Sequence, residues 1–350
     1  MTLRVIIYRL GVIPLLLLLC ILAACSQQDL DQEEQGMVSL KVLASPGTKA
    51  GEEGTATATL PKETDIFDLS IFIFNSNGDV IGFTSQDFKD GKPAAVEVKT
   101  RKETGCSVYA VANAKTLNNG KSPFDGVSTL SVFKAKFLSF PDAKAPNDAK
   151  CLLMMGVSSG FDTSSASSAS PATITLKRLA SRIDYTITVN NDNATGFPIV
   201  VDSYLLRNVP TKTLFLQSDF TSPSMPSSPT FADLDKVSTP ISSVAAATSA
   251  GTYYVYANDG TSKETYLDIQ AHSEVQGAVT KYTVWKSNFQ VKMPDGKVKP
   301  NYHYKIDIVI NGSVTGKDGG VITTYNAYPY FSGSILNPWG TNEYKDLDLQ

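Results

Sequence analysis

Few residues in this chain have the type and spacing to do chemistry. Among 350 residues there are four cysteines and two histidines. His272 and His303 are far apart and sit in no metal-type or nucleophile-type motif. HExxH and a phosphate-binding glycine loop are both lacking. Cys106 and Cys151 fall outside any CxxC pattern, and in an exported chain they could form one disulfide. "NSNGD" (75–79) has the polar make-up of a calcium loop but lacks the closing bidentate Glu, so a hairpin turn accounts for it better. No catalytic residue, metal ligand or cofactor is assigned, and the chain is expected not to be an enzyme.

One cysteine does have a telling context. Arg4 and Arg9 give a positive start, and the apolar stretch Leu10 to Ala24, interrupted by Pro14, is shorter than the ~20 residues a spanning helix needs. It reads as a signal peptide over 1–24. Leu22-Ala23-Ala24-Cys25 resembles a bacterial lipobox, in which the thiol is acylated and the chain is cut before it, making Cys25 the first mature residue. Cys20, with no small pair before it, is discarded with the signal. One acyl chain holds a bilayer only marginally, at ~0.8 kcal/mol per buried methylene, whereas the three chains of the lipoprotein pattern anchor stably. Residues 25–36 carry Asp29, Asp31, Glu33 and Glu34 and read as a flexible lipidated tether. In surface lipoproteins of the Bacteroidetes a similar acidic cluster is a cue for export to the outer face.

The elements that must position any site are strands. Net charge is −3 and no Lys/Arg block occurs, which excludes a nucleic-acid footprint. The mature chain exceeds one typical domain of about 100–200 residues. Val38, Leu40 and Val42 alternate with polar residues, placing them on one face of a first strand. "ASPGTKAGEEGTATATLPKE" (44–63) follows as a loop that a protease could reach. "DIFDLSIFIFNSNGDVIGF" (65–83) predicts a hairpin turning at Asn75–Asp79. "CSVYAVANA" (106–114) and "CLLMMGVSSG" (151–160) predict strands, and apolar spacing of three and four over 127–140 predicts a short helix. Low-complexity Ser/Ala at 158–172 marks the domain boundary, after which 173–191 resumes alternation. "TYYVYAND", "KYTVWKSNFQVKM" and "NYHYKIDIVINGSV" continue the β pattern, while the Ser/Thr/Pro-rich segment 218–250 predicts an irregular loop. The expectation is an all-β chain of two domains, 37–172 and 173–350.

The lipobox, a first strand before a cuttable loop, "LSIFIFNSNGDVIG", "VYAVANA", "LKRLASRIDYTITV" and "NYHYKIDIVING", in this order, resemble the fimbrillins of Bacteroidales, the major and minor subunit family of type V pili. The resemblance implies two transthyretin-like β-sandwich domains in tandem and export as an outer-membrane lipoprotein. It also implies extracellular proteolysis that removes the first strand with Val38, Leu40 and Val42, and a C-terminal segment of a neighbouring subunit that fills the vacated groove. The implied partners are other fimbrial subunits, the outer membrane through the lipid before processing, a processing protease, and host or bacterial surface ligands. The location after processing is an extracellular fimbrium.

In that family the cut falls after a basic residue, commonly Arg, but this loop offers only Lys49 and Lys62. That departure implies a protease tolerant of Lys, acting at Lys49, or a subunit that is never cut and keeps its lipid. Leu347 and Leu349, at strand spacing with Ile335 and Trp339 upstream, suit a donor segment. A glycan-binding surface lipoprotein is the alternative, with Trp285 and Trp339 as its platform, although packing commonly claims such aromatics.

Overall fold

The computed structural model describes residues 37–46, 61–163, 172–190, 198–217, 220, 222–242, 247–276, 281–311 and 325–329. Cys25 with Leu22, Ala23 and Ala24, the loop lysine Lys49, Trp339, and Leu347 and Leu349 lie outside these residues.

The first eight strands are β1 (Met37–Pro46), β2 (Asp68–Phe74), β3 (Val80–Asp87), β4 (Val96–Arg101), β5 (Cys106–Ala112), β6 (Phe137–Ser139), β7 (Met154–Phe161) and β8 (Ala172–Arg178). All but β6 join one closed sheet in the order β1-β4-β3-β2-β5-β7-β8. β2 is buried at every position, as an unbroken apolar run demands of a strand covered on both faces. Leu69, Ile71 and Ile73 point into the barrel core with Val96, Val98, Val108 and Ala110. Phe72 and Phe74 point outward into a second, aromatic core with Tyr109, Phe124 and Phe133.

The β2–β3 hairpin turns where expected. Asn75 Oδ1 accepts the backbone N–H of Asn77 at 3.1 Å and of Asp79 at 2.8 Å, and Gly78 takes the left-handed φ of 86° that the turn requires. "NSNGD" is thus organised as a turn by its own first side chain.

Three short helices cover the outer face: α1 (Ala114–Leu117), α2 (Leu130–Ala135) and α3 (Ala145–Asp148). The buried Asp68 carboxylate accepts the N–H groups of Lys115 and Thr116 at the start of α1, at 3.0 and 2.7 Å. Thr129 Oγ1 caps α2 through Val132 N–H. The helix expected over 127–140 is shorter. It ends at Lys136, which is extended, because residues 137–139 are drawn into a ladder with Lys212–Leu214, a long-range pairing that local periodicity does not carry.

The rest of the chain forms β9 (Ala180–Asn190), β10 (Ile199–Arg207), β11 (Val209–Pro210), β12 (Lys212–Leu214), β13 (Phe231–Ala232), β14 (Ile241–Ser242), β15 (Ala247–Tyr256), β16 (Tyr266–Gln276), β17 (Lys281–Lys292), β18 (Tyr302–Asn311) and β19 (Tyr325–Pro329). Two four-stranded sheets result, ordered β14-β10-β16-β17 and β15-β9-β18-β19. They share one core: Ile183, Ile187, Ile306 and Ile308 from one sheet pack with Val201, Leu206, Ile269 and Phe289 from the other. The run 173–191 is therefore two strands in different sheets. The chain crosses at Leu179, beyond the 172/173 step expected from composition.

The two look-alike segments at 108–114 and 253–259 each carry the end of a strand, β5 or β15, followed within two residues by a fully buried Asn. Asn113 Nδ2 donates to the carbonyls of Asp65 and Leu152 at 2.8 and 2.7 Å. Asn258 Nδ2 donates to Lys263 O and Thr265 Oγ1 at 2.8 and 2.9 Å. Each Asn fastens the loops beside its strand. The two halves meet through aromatic contacts, with Phe124 against Phe215 at 4.8 Å and Phe140 stacked on Tyr256 at 4.7 Å.

Glycines mark two corners of the closed sheet. A Cβ on Gly82 would lie 2.9 Å from Lys99 O, and one on Gly156 would lie 2.5 Å from Thr175 O. The Gly156 obstacle is backbone and cannot rotate away. Gly156→Ala is therefore expected to destabilise the chain by roughly 1–3 kcal/mol, read as a lower urea midpoint at unchanged m-value.

Candidate assembly site

β1 lies between two strands that hold little else. On one side it runs antiparallel to β4, with Val38↔Thr100, Leu40↔Val98 and Val42↔Val96. On the other it runs parallel to β8, with Val42↔Ala172, Ala44↔Ile174 and Pro46↔Leu176. Val96, Val98, Thr100, Ile174 and Leu176 are buried, so β1 is registered against buried positions of both flanking strands. Among the described residues, β4 pairs with β3 only at Gly82↔Thr100, and β8 pairs with β7 only at Met154↔Arg178 and Met155↔Lys177. The hydrophobic alternation of β4, buried at Val96, Val98 and Thr100 and exposed between them, explains why it presents one face inward. It does not supply a second ladder.

The next described element is a 3-10 turn, Pro61–Glu63, and it is fastened closely. Lys62 Nζ donates to Asn147 O at 2.7 Å and lies 4.4 Å from the centre of the Tyr254 ring. Lys62 O accepts from Leu152 N–H at 3.1 Å. Glu63 is buried. Its Oε1 accepts from Tyr254 Oη at 2.7 Å and from Arg182 Nη1 at 3.3 Å, and its carbonyl accepts from Arg178 Nε at 2.7 Å. Arg182 extends this network into the C-terminal sheet: its Nε donates to Asp184 Oδ1 at 2.8 Å, Thr252 Oγ1 donates to the same oxygen at 2.7 Å, and His303 Nε2 lies 2.7 Å from Asp184 Oδ2. Burial alone would raise the Asp184 carboxyl. The hydrogen bonds from His303, Arg182 and Thr252 outweigh it and hold the carboxyl well below the usual carboxylate range.

Sequence reasoning found β1 but missed this buried polar cluster. His303, which has no motif around it, sits on Asp184. His272 sits 2.8 Å from Asp202, so the two histidines do not come together. Cys106 and Cys151 are both free and buried, and burial pushes the Cys151 thiol up to about 12. Trp285 lies within β17, opposite Ser273. The aromatic segment around 324–331 contributes β19, paired with β18 from Tyr302↔Pro329 to Ile306↔Tyr325. The clue to the cluster was a pair of arginines, Arg178 and Arg182, close together in an alternating strand run, since a charge buried there must find a partner.

Residues 37–201 match the family model of the major fimbrial subunit protein (FimA), a match that begins at the first residue of β1. The fold is similar to that of a candidate cell adhesion protein from Bacteroides eggerthii DSM 20697, with a TM-score of 0.58 and 20% sequence identity over 84% of this chain and 96% of that chain. A candidate cell adhesion protein from Parabacteroides distasonis ATCC 8503 gives 0.57 and 18% over 87% and 99%. A fimbrilin (FimA) from Porphyromonas gingivalis W83 gives 0.53 and 14% over 85% and 98%. At these identities the likeness is one of fold. No curated protein sequence matches the chain.

The Asp184 cluster makes a pH prediction. A carboxyl depressed in the folded state contributes stability that is present above its unfolded value, near ~3.9, and lost as pH falls below it. Between about pH 5 and about pH 2.5 the native chain should lose stability more steeply than Asp184→Asn, as measured by urea midpoints across that range.

Proposed function

We propose, from the match of residues 37–201 to the family model of the major fimbrial subunit protein (FimA), that the chain is a structural subunit of a cell-surface fimbria. In this reading it is exported as a lipoprotein through Cys25 and polymerises by strand exchange after a cut at Lys49 removes β1. The N-terminal domain, whose closed sheet ends with β8 at Arg178, accepts the strand. The C-terminal domain of a neighbouring subunit supplies one through the segment bearing Leu347 and Leu349. Adhesion follows from the surface position of the assembled fibre.

The observation that carries this reading is the position of β1 between β4 and β8, which have so few other pairings. A strand on a sheet edge could leave at little cost, but one that bridges two sparsely held neighbours leaves two unpaired edges and an uncovered core. Backbone groups on both edges then want partners. A donor with apolar residues at strand spacing satisfies them by β-strand addition, and each apolar side chain reburied is worth roughly 1.5–3 kcal/mol. The vacancy is directional, since it pairs antiparallel on one side and parallel on the other, so an incoming strand has one orientation that matches both edges. Its origin within a chain that carries its own donor makes the product a linear, head-to-tail polymer and not a closed dimer.

Treating the purified precursor with a trypsin-like protease is expected to produce SDS-resistant ladders on electrophoresis. The same chain truncated before Tyr344 should be cut equally but form none. Ladders of equal intensity from both chains would remove the C-terminal donor from the account.

A further inference from the structure

We propose that the contacts of Lys62 and Glu63 form a proteolytic stop, which confines cutting to the amino-terminal side of Lys62 and keeps the segment beyond the cut fixed to the C-terminal half when β1 departs. The stop rests on the processing reading above for its use in assembly, but its existence is a property of the fold alone.

The loop region has two basic residues, Lys49 and Lys62, and a protease that reads Lys has to take the ammonium into its own pocket and draw the flanking backbone into an extended strand. At Lys62 both requirements are already blocked. The ammonium is held by Asn147 O and the face of Tyr254. The acceptor is itself pinned, because the Asn147 side chain donates to Tyr254 O at 3.0 Å and accepts from Tyr254 N–H at 2.7 Å. The backbone is tied on either side of the scissile bond, through Lys62 O to Leu152 N–H and through Glu63 O to Arg178 Nε. The next side chain, Glu63, is buried against Tyr254 and Arg182.

Cutting at Lys62 therefore requires opening a cooperative set of contacts that reaches α3, β8, β9 and β15, and cleavage follows the rare open population. This has a mechanical consequence. A cut at Lys62 would sever the clamp from the strand it should outlive, whereas a cut upstream leaves Pro61–Glu63 as the fixed start of what remains.

The test uses the full chain and a lysine-specific endoprotease, with cleavage at Lys49–Ala50 and Lys62–Glu63 followed by mass spectrometry, in buffer and in urea strong enough to unfold the chain. The unfolded digest corrects for the slowing that Pro61 and Glu63 impose by sequence alone. Relative to that reference, cleavage at Lys62 in the native chain is expected to be about a hundredfold or more slower, as for a site that is cut only through local opening. Tyr254→Phe, which removes the hydroxyl donor to Glu63, and Arg178→Gln, which removes the donor to Glu63 O, should each speed cleavage at Lys62 by roughly tenfold and leave the rate at Lys49 unchanged. Native cleavage at Lys62 as fast as in the unfolded reference, or no acceleration in either variant, would overturn the stop. A native chain that resists cutting at Lys49 would instead count against the processing reading, and the Lys62 rates in the variants would still decide the stop.

Discussion

Closure of the N-terminal sheet by β1 is the constraint on which the rest of this molecule depends. A sheet that wraps into a barrel has no edge, and the strand completing the circle covers the exposed backbone of two neighbours at once. Here those neighbours lean on β1 to an unusual degree. Among the described residues, β4 pairs with β3 only where Gly82 lets the backbones approach, and β8 pairs with β7 only at its C-terminal end. The interior residues Val96, Val98, Ile174 and Leu176 are consequently shielded by a strand that comes first in the described chain and is joined to the rest through the 47–60 region.

The remainder of the fold is built so that it does not share this dependence. β2 and β5 are paired on both sides and buried on both faces. Their outward aromatic residues pack into a core that includes Phe215, Tyr254 and Tyr256 from the C-terminal half. The clamp at Lys62 and Glu63 adds a charged tie between the halves. A buried ion pair is not by itself a large source of stability, since desolvation offsets attraction, but breaking one partner away is costly. Such a tie gives a definite geometry more than raw stability. In the proposed fibre, a fixed geometry between the two halves would carry orientation from one subunit to the next.

Much of this was legible in the chain. The alternation of β1, β9 and β18, and the Asn-Gly turn of the β2–β3 hairpin, are local signals, and the structure places strands where they predict them. What was not legible was set by distant partners. Apolar spacing at Leu130, Phe133 and Phe137 looks helical throughout, yet Phe137 belongs to β6 because Lys212–Leu214 offers it a ladder. Arg178, Leu179 and Ala180 read as the middle of one strand, since alternation continues on both sides of the crossover. The cluster of Glu63, Arg182, Asp184 and His303 assembles charges from far-separated parts of the sequence, and its local trace is the pair Arg178 and Arg182 within an alternating strand run.

The central claim is that β1 holds β4 and β8 and little else. Amide hydrogen exchange, followed by mass spectrometry on the intact chain and on the cut chain after β1 has been washed away under conditions that prevent polymerisation, tests it most directly. The account predicts that protection falls at residues 96–101 and 172–178 while β2, β5 and the strands of the C-terminal sheets keep theirs. Unchanged protection at β4 and β8, or loss spread evenly over the whole chain, would contradict it.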